Sequence, residues 1–341
     1  MVFKIKKAPY LKFWKSNVTN MMFHVAIALI PAVLFSFYLY GFDALLIVLT
    51  SISTMLLTEF VVCKFRKVEL TTYNYSTVVT ALIYALILPN DIPLVYVVLG
   101  AAFGIGVGKL VFGGLGANIF NPAGVGRAFI VLSFGSHLAY SIPTVTDAVA
   151  SATPLAMLKE NVLSLDVLNT FSLYDMFIGT IPGSIGETSA LAILIGAAYL
   201  IIQKVADWRK MFAMVGIVAY LSVVVAVFKG INVVDYTLMN ILSGGLLFGA
   251  VFMVTDPVSA PITGPSRIIY AMLIGIITFF IRVFGGYPEG VVFAILIMNM
   301  FTPALDYYKF STTKYTKNWF ISVGVIIVLS TIITVVGTSG M

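Results

Sequence analysis

The segment Asp147-Ala148-Val149-Ala150-Ser151-Ala152-Thr153-Pro154 joins an acid, a run of small residues and a hydroxyl. A threonine displayed in this way, with an aspartate upstream, is the pattern on which a flavin transferase builds a phosphoester to FMN. Small side chains at Ala150, Ser151 and Ala152 leave the hydroxyl reachable, and Pro154 holds the residue before it out of a helix. Without that chemistry, a threonine before proline is an ordinary turn or cap residue. Thr188, in Gly186-Glu187-Thr188-Ser189, is a rival hydroxyl, although such residues at the start of an apolar run more simply cap a helix.

Other polar residues stand out against an apolar background. Asn118 and Asn121 follow a glycine-rich stretch (Gly113, Gly114, Gly116). Their carboxamides offer donors and acceptors suited to the edge of an isoalloxazine ring, and the glycines permit close backbone approach. Read structurally, the same asparagines are helix caps. Glu59, Glu187, Asp256 and Glu289 lie in or beside hydrophobic segments, where a carboxylate is costly and points to an ion or proton route or a buried pair. Asp256, in Thr255-Asp256-Pro257, promises a break in its span; with Glu187 it is a candidate to line an ion route. Cys63 is the single cysteine and cannot hold an iron–sulfur cluster. His24 and His137 lack partners at metal-ligand spacing and read as structural. A redox centre here would be organic or supplied by other subunits, and no metal site is expected.

These residues must be positioned by membrane helices. Of 341 residues, 60% are hydrophobic and 10% charged, which excludes the soluble globular class. The fold class expected is an all-α polytopic membrane protein of about ten or eleven transmembrane helices. Apolar runs predict spans near 21–40, 43–63, 76–89, 92–112, 118–136, 187–204, 210–228, 238–255, 267–284, 288–305 and 319–337. The third and fifth are short or glycine-rich and are expected to be broken or tilted. The net charge of +6 follows topology and argues for the lipid bilayer, with no nucleic acid as partner. With a cytoplasmic N-terminus, of 20 Lys and Arg only Arg127, Lys159, Lys229 and Arg282 fall on the opposite side. That puts the loop carrying Thr153 outside the cytoplasm.

Two stretches echo each other. Lys109-Leu110-Val111-Phe112-Gly113-Gly114 precedes Asn118-Ile119-Phe120-Asn121-Pro122-Ala123; Arg282-Val283-Phe284-Gly285-Gly286 precedes Asn299-Met300-Phe301-Thr302-Pro303-Ala304. The order suggests duplication. Five spans per unit make the second copy inverted, and inverted repeats place their site where the halves meet. The expected division is 1–136 for the first repeat and 137–186 for a flavin-bearing loop. A second repeat then covers 187–308, and 309–341 holds an extra C-terminal helix.

Five ordered motifs then carry a resemblance. They are the Thr153 segment, Phe-Gly-Gly-Leu-Gly-Ala-Asn-Ile-Phe-Asn-Pro (112–122), Ile-Pro-Gly-Ser-Ile-Gly-Glu-Thr-Ser (181–189), Thr-Asp-Pro-Val-Ser-Ala (255–260) and Gly-Gly-Tyr-Pro-Glu-Gly-Val-Val-Phe-Ala (285–294). From about residue 10 to 308 the chain resembles the family of Rnf-complex D subunits and, more distantly, B subunits of the sodium-pumping NADH:quinone oxidoreductase. The resemblance implies an inverted repeat of the urea-transporter type and a membrane subunit of a ferredoxin:NAD⁺ oxidoreductase coupled to Na⁺ or H⁺ movement in a bacterial or archaeal cytoplasmic membrane. It implies covalent FMN on Thr153, a second flavin (riboflavin) at Asn118 and Asn121, and as partners Rnf subunits A, B, C, E and G and a flavin transferase. Such a subunit is not catalytic alone. Two departures are visible: Ser151 stands where the attachment pattern has glycine, and 319–337 adds a helix. From the residues alone, a channel or carrier for a small neutral solute on the same architecture, or a structural subunit without cofactor, are the alternatives.

Overall fold

The computed structural model describes residues 18–67, 74–135, 138, 153–160, 171–285, 290–307 and 314–340, and among them every regular element is a helix. His137, Asp147, Ser151, Ala152 and Glu289 lie outside the described residues. The first two expected spans form one helix, α1 (Val18–Arg66), of 49 residues that bends at Gly41 with φ 61° and ψ −136°. At about 1.5 Å per residue α1 is more than twice as long as a hydrocarbon core is thick, so the bend separates two crossings. Only glycine takes that backbone geometry without strain.

The remaining helices are α2 (Ser76–Leu86), α3 (Leu94–Ile105) continued by a π turn at Gly106–Leu110, α4 (Pro122–Phe134), α5 (Pro154–Glu160), α6 (Leu173–Ile178), α7 (Ala190–Ile202) and α8 (Trp208–Lys229). Then follow α9 (Val233–Leu242), α10 (Leu246–Phe248) continued by a π turn at Gly249–Met253, α11 (Gly264–Phe284), α12 (Val291–Asp306) and α13 (Lys317–Ser339). Every expected span thus has a helix, which makes this a multi-pass membrane protein. Their lengths differ from expectation. Among the described residues 4 helices are long and apolar enough to cross a membrane, and α9 with α10 and its π turn, bent by 61°, forms a broken span or a re-entrant loop. Five other apolar helices have only 10–17 residues. The eighth span breaks at Ser243–Gly245, not at Thr255-Asp256-Pro257 as expected; that tripeptide follows the end of the π turn. Ser243 leaves the helix in an extended conformation and Gly244 turns the chain at φ +65°.

Packing recurs between the two halves. α1 lies against α2 and α3, and α3 against α4; likewise α8 lies against α9 and α11, and α11 against α12. The two sets meet where α1 touches α7 and where α4 touches α12. In the Phe-Gly-Gly part of the sequence echo, Phe112-Gly113-Gly114 follow the π turn after α3, whereas Phe284 is the last residue of α11 and Gly285 comes next, Gly286 lying outside the described residues. The Asn-x-Phe-x-Pro-Ala part opens α4 in one half and closes α12 in the other.

α13 packs on α8 and α11. Tyr220 and Thr331 share a hydroxyl hydrogen bond of 3.1 Å, and Trp319 Nε1 donates to the Pro265 carbonyl at 3.1 Å. Ser330, Thr334 and Thr338 face inward at helical spacing, while Ile321, Val325, Val328 and Ile332 stay exposed, as lipid contact requires.

Between the halves, α6 begins with a reciprocal cap: Asp175 N–H donates to Ser172 Oγ at 3.1 Å, and Ser172 N–H to Asp175 Oδ2 at 3.2 Å. Hydrogen bonds from the Ser172 hydroxyl, then from Thr180, hold the Asp175 carboxyl below its usual range. A depressed carboxylate stabilises the fold above its unfolded pKa, near 4, and loses that effect as pH falls toward its folded value. Ser172→Ala is expected to cost about 1 kcal/mol at neutral pH and less in acid. Hydrogen exchange of the α6 amides across that pH range checks this.

Candidate functional site

Two cavities lie at opposite ends of α7. The smaller, about 270 Å³, is lined by Thr153, Pro154, Leu155, residues 181–184, Glu187, Thr188 and Gly244. Thr153 is only 8% exposed. Its Oγ1 accepts the Ala156 N–H at 3.2 Å and its carbonyl accepts the Met157 N–H at 3.0 Å, so it caps α5. Thr188, expected as the cap of the sixth span, does not cap it; Ser189 accepts the Ala192 N–H instead. The rival threonines therefore share one cavity.

This cavity rests on broken helices from both halves. On one side, Ile185 N–H donates to Leu88 O at 2.9 Å and Gly186 N–H to Leu86 O at 2.8 Å, beside the isolated bridge of Ser184 with Pro89. The segment thereby satisfies carbonyls at the end of α2 that would otherwise be orphaned. On the other side stands the break between α9 and α10. Arg282 donates from Nη1 to Asn240 O at 2.6 Å and from Nη2 to Ser243 O at 3.2 Å, while the Glu187 carboxylate packs against Gly245. A cation meets the C-terminal end of one half-helix and an anion the N-terminal end of the next, the arrangement the peptide dipoles favour. Glu187, expected as an ion-route candidate, thus also has a structural task.

The larger cavity encloses about 760 Å³, partly open to solvent. Met21, Met22, Val25, Leu200 and Phe252 supply apolar walls; Lys109, Asn118, Asn121, Thr255 and Asp256 supply polar ones. Apolar walls with a few convergent polar groups are typical of cofactor sites. Both π turns border it, through Lys109 and Phe252, and π turns concentrate at functional sites. Asn121 Oδ1 caps α4, accepting from Ala123 N at 3.1 Å and Gly124 N at 3.3 Å, so its oxygen is engaged by the backbone. Asn118 donates to Phe120 O at 3.1 Å. Asp256 is occupied locally, accepting from Ser259 Oγ at 2.7 Å and Val258 N at 3.3 Å. Asp256 and Glu187, the two ion-route candidates, thus line different cavities.

Glu59 is fully buried in an ion pair. Lys109 Nζ lies 3.4 Å from Glu59 Oε1 and donates to Ser76 Oγ and Thr77 Oγ1, each at 2.8 Å. Thr77 in turn donates to Glu59 Oε2 at 2.7 Å. His24, expected to be structural, bonds through Nδ1 to Tyr199 OH at 2.8 Å beside this cavity.

Asn299 went unrecognised as a site residue in the sequence. Buried in α12, it accepts the Asn121 N–H at 3.1 Å and donates to Ser259 O at 3.1 Å and Tyr270 OH at 2.7 Å. It ties the α4 cap to the other half. Asn299→Leu would orphan two buried groups, the Asn121 N–H and the Tyr270 hydroxyl, at about 1–3 kcal/mol for each group left unsatisfied; the Ser259 carbonyl keeps the Thr302 hydroxyl as donor at 2.9 Å. The expected result is a lowered unfolding temperature in detergent, measured by scanning calorimetry; an unchanged temperature would show that the two groups find other partners.

Residues 4–315 match the family described as NQR2, RnfD, RnfE. The chain is 39% identical over 328 residues to the D subunit of the proton-translocating ferredoxin:NAD(+) oxidoreductase complex of Clostridium ljungdahlii, covering 92% of this chain and 97% of that one. It is 38% identical to the D subunit of the Na(+)-translocating ferredoxin:NAD(+) oxidoreductase complex of Acetobacterium woodii, covering 92% and 96%. With the B subunit of the Na(+)-translocating NADH-quinone reductase of Chromohalobacter salexigens the identity is 41%, over 69% of this chain and 58% of that one. α13 begins beyond the family match.

Proposed function

The chain belongs to the NQR2, RnfD, RnfE family, and from that premise we propose that it is the D-type membrane subunit of an ion-translocating ferredoxin:NAD⁺ oxidoreductase, relaying electrons between two flavins. The observation that carries this reading is the pair of cavities joined by α7, one holding Thr153 and the other Asn118 and Asn121. α7 has 13 residues, so about 20 Å of helix separates its ends.

The residues fit the groups this assigns to them. Thr153 Oγ1 acts only as an acceptor toward Ala156 N–H, a role that a phosphoester oxygen retains. At the other end, the apolar walls suit the faces of a tricyclic ring and the Asn121 amide suits its polar edge. When bound, the flavins supply one-electron chemistry; the chain orients them, excludes water and sets the local field. Carrying a charge across the bilayer is worth roughly 2.3 kcal/mol per 100 mV, so a compensating Na⁺ or H⁺ is a natural coupling partner. Asp256 and Glu187, one in each cavity, are the carboxylates placed to attract it.

The reading also places the N-terminus in the cytoplasm of a bacterial or archaeal cell, Thr153 on the outer side of the cytoplasmic membrane, and two inverted repeats at 1–136 and 187–308. Its partners would be the other Rnf subunits and a flavin transferase. The test is the intact mass of the protein produced together with that transferase. One added FMN is expected, with a second flavin released on denaturation. A mass equal to the bare chain would overturn the covalent assignment.

A further inference from the structure

The reading of Thr153 as the flavin-bearing residue raises a question of access. A transferase must bring a flavin dinucleotide and its own active site to the Thr153 oxygen. In the folded protein Thr153 lines a cavity with room for no more than about one water molecule, far too little for a flavin dinucleotide. The residue is 8% exposed, and its neighbours Leu155 and Leu158 are buried at 4% and 9%.

The seat of this segment is specific. Leu155 rests on Gly244, at the break between α9 and α10, where any Cβ would overlap the Leu155 side chain. Gly244 also has φ +65°, so glycine serves both the turn and the fit. The opposite wall is held by backbone hydrogen bonds of Ile185 and Gly186 to the end of α2. Neither wall can retreat without breaking helix-end bonds.

We propose that Thr153 is flavinylated only while residues 153–158 are out of this seat, so that docking of the segment and attack by the transferase compete. Out of its seat, the Thr153 hydroxyl attacks the flavin-side phosphorus of FAD. The P–O bond to the AMP moiety breaks, AMP leaves, and the hydroxyl proton passes to a base of the transferase. A chain that closes first is thus protected from modification. The inference rests on Thr153 being the attachment residue.

The experiment uses full-length protein made without transferase, purified in detergent, then given transferase and FAD, with flavin fluorescence of the denatured band followed over time. A peptide covering residues 144–164 is labelled in parallel. The peptide is expected to label at least about tenfold faster than the folded chain. Leu155→Ala, which empties the anchor, and Gly244→Ala, which pushes Leu155 out, are each expected to recover most of that difference. Leu221→Ala, a core change in α8 away from the seat, controls for general loosening. Equal rates for folded chain and peptide overturn the proposal, as does acceleration by Leu221→Ala matching that of the seat variants. If neither chain nor peptide takes label at Thr153, the attachment assignment fails and the inference falls with it.

Discussion

Thr153→Val is expected to abolish covalent flavin completely, leaving a protein of bare-chain mass, while the second flavin stays bound. Valine keeps the shape of threonine and removes only the nucleophilic oxygen. Leu155 should therefore hold its seat on Gly244, and the fold should lose no more than the α5 cap, about 1 kcal/mol. Electron transfer through the assembled complex should stop, because the relay loses its outer station. The control is Thr188→Val. Both hydroxyls line the same 270 Å³ cavity, so proximity alone does not choose between them. If fluorescence survives Thr153→Val and vanishes with Thr188→Val, the flavin is attached to the other residue.

Lys109→Met is expected to be the most destabilising single change at the larger cavity. It strands the buried Glu59 carboxylate, leaving it with Thr77 but without its cation. Breaking a buried pair by removing one partner costs about 3–5 kcal/mol, whereas removing both is often neutral. Lys109→Met with Glu59→Gln should therefore regain most of the stability lost by the single variant. Thermal unfolding of the purified protein measures both. A double variant no better than Lys109→Met alone would mean that the pair is not what holds α1, α2 and the π turn together there.

The elements that long apolar windows encode were readable: α8, α11, α13 and both arms of α1 fall where hydropathy put them. Thr153 and Asn121 stand out as candidates because their neighbours are unusual, and each lines a cavity. The break at Ser243–Gly245 was not readable, since it lies inside a window whose average stays apolar; the Gly-Gly pair was the available signal. Asn299 was misplaced for a related reason. Its match to Asn118 suggested an equivalent position in a repeat, whereas the helices put Asn299 in the middle of α12 and Asn118 before α4. Lys109 counted as a topological charge and as the start of the sequence echo, and its pairing with Glu59 crosses 50 positions of sequence that no local pattern connects.

Leu155 together with residues 184–187 stoppers two helix ends: Ser184 to Gly186 that of α2, Leu155 and Glu187 that at the α9–α10 break. On the reading proposed above, such corks would keep hydrated ions out of any conduit between the half-helices, while an electron would still pass between the two flavins. In the proposed complex, each electron that crosses would then leave its charge standing as voltage, to be discharged only where a cation is allowed through.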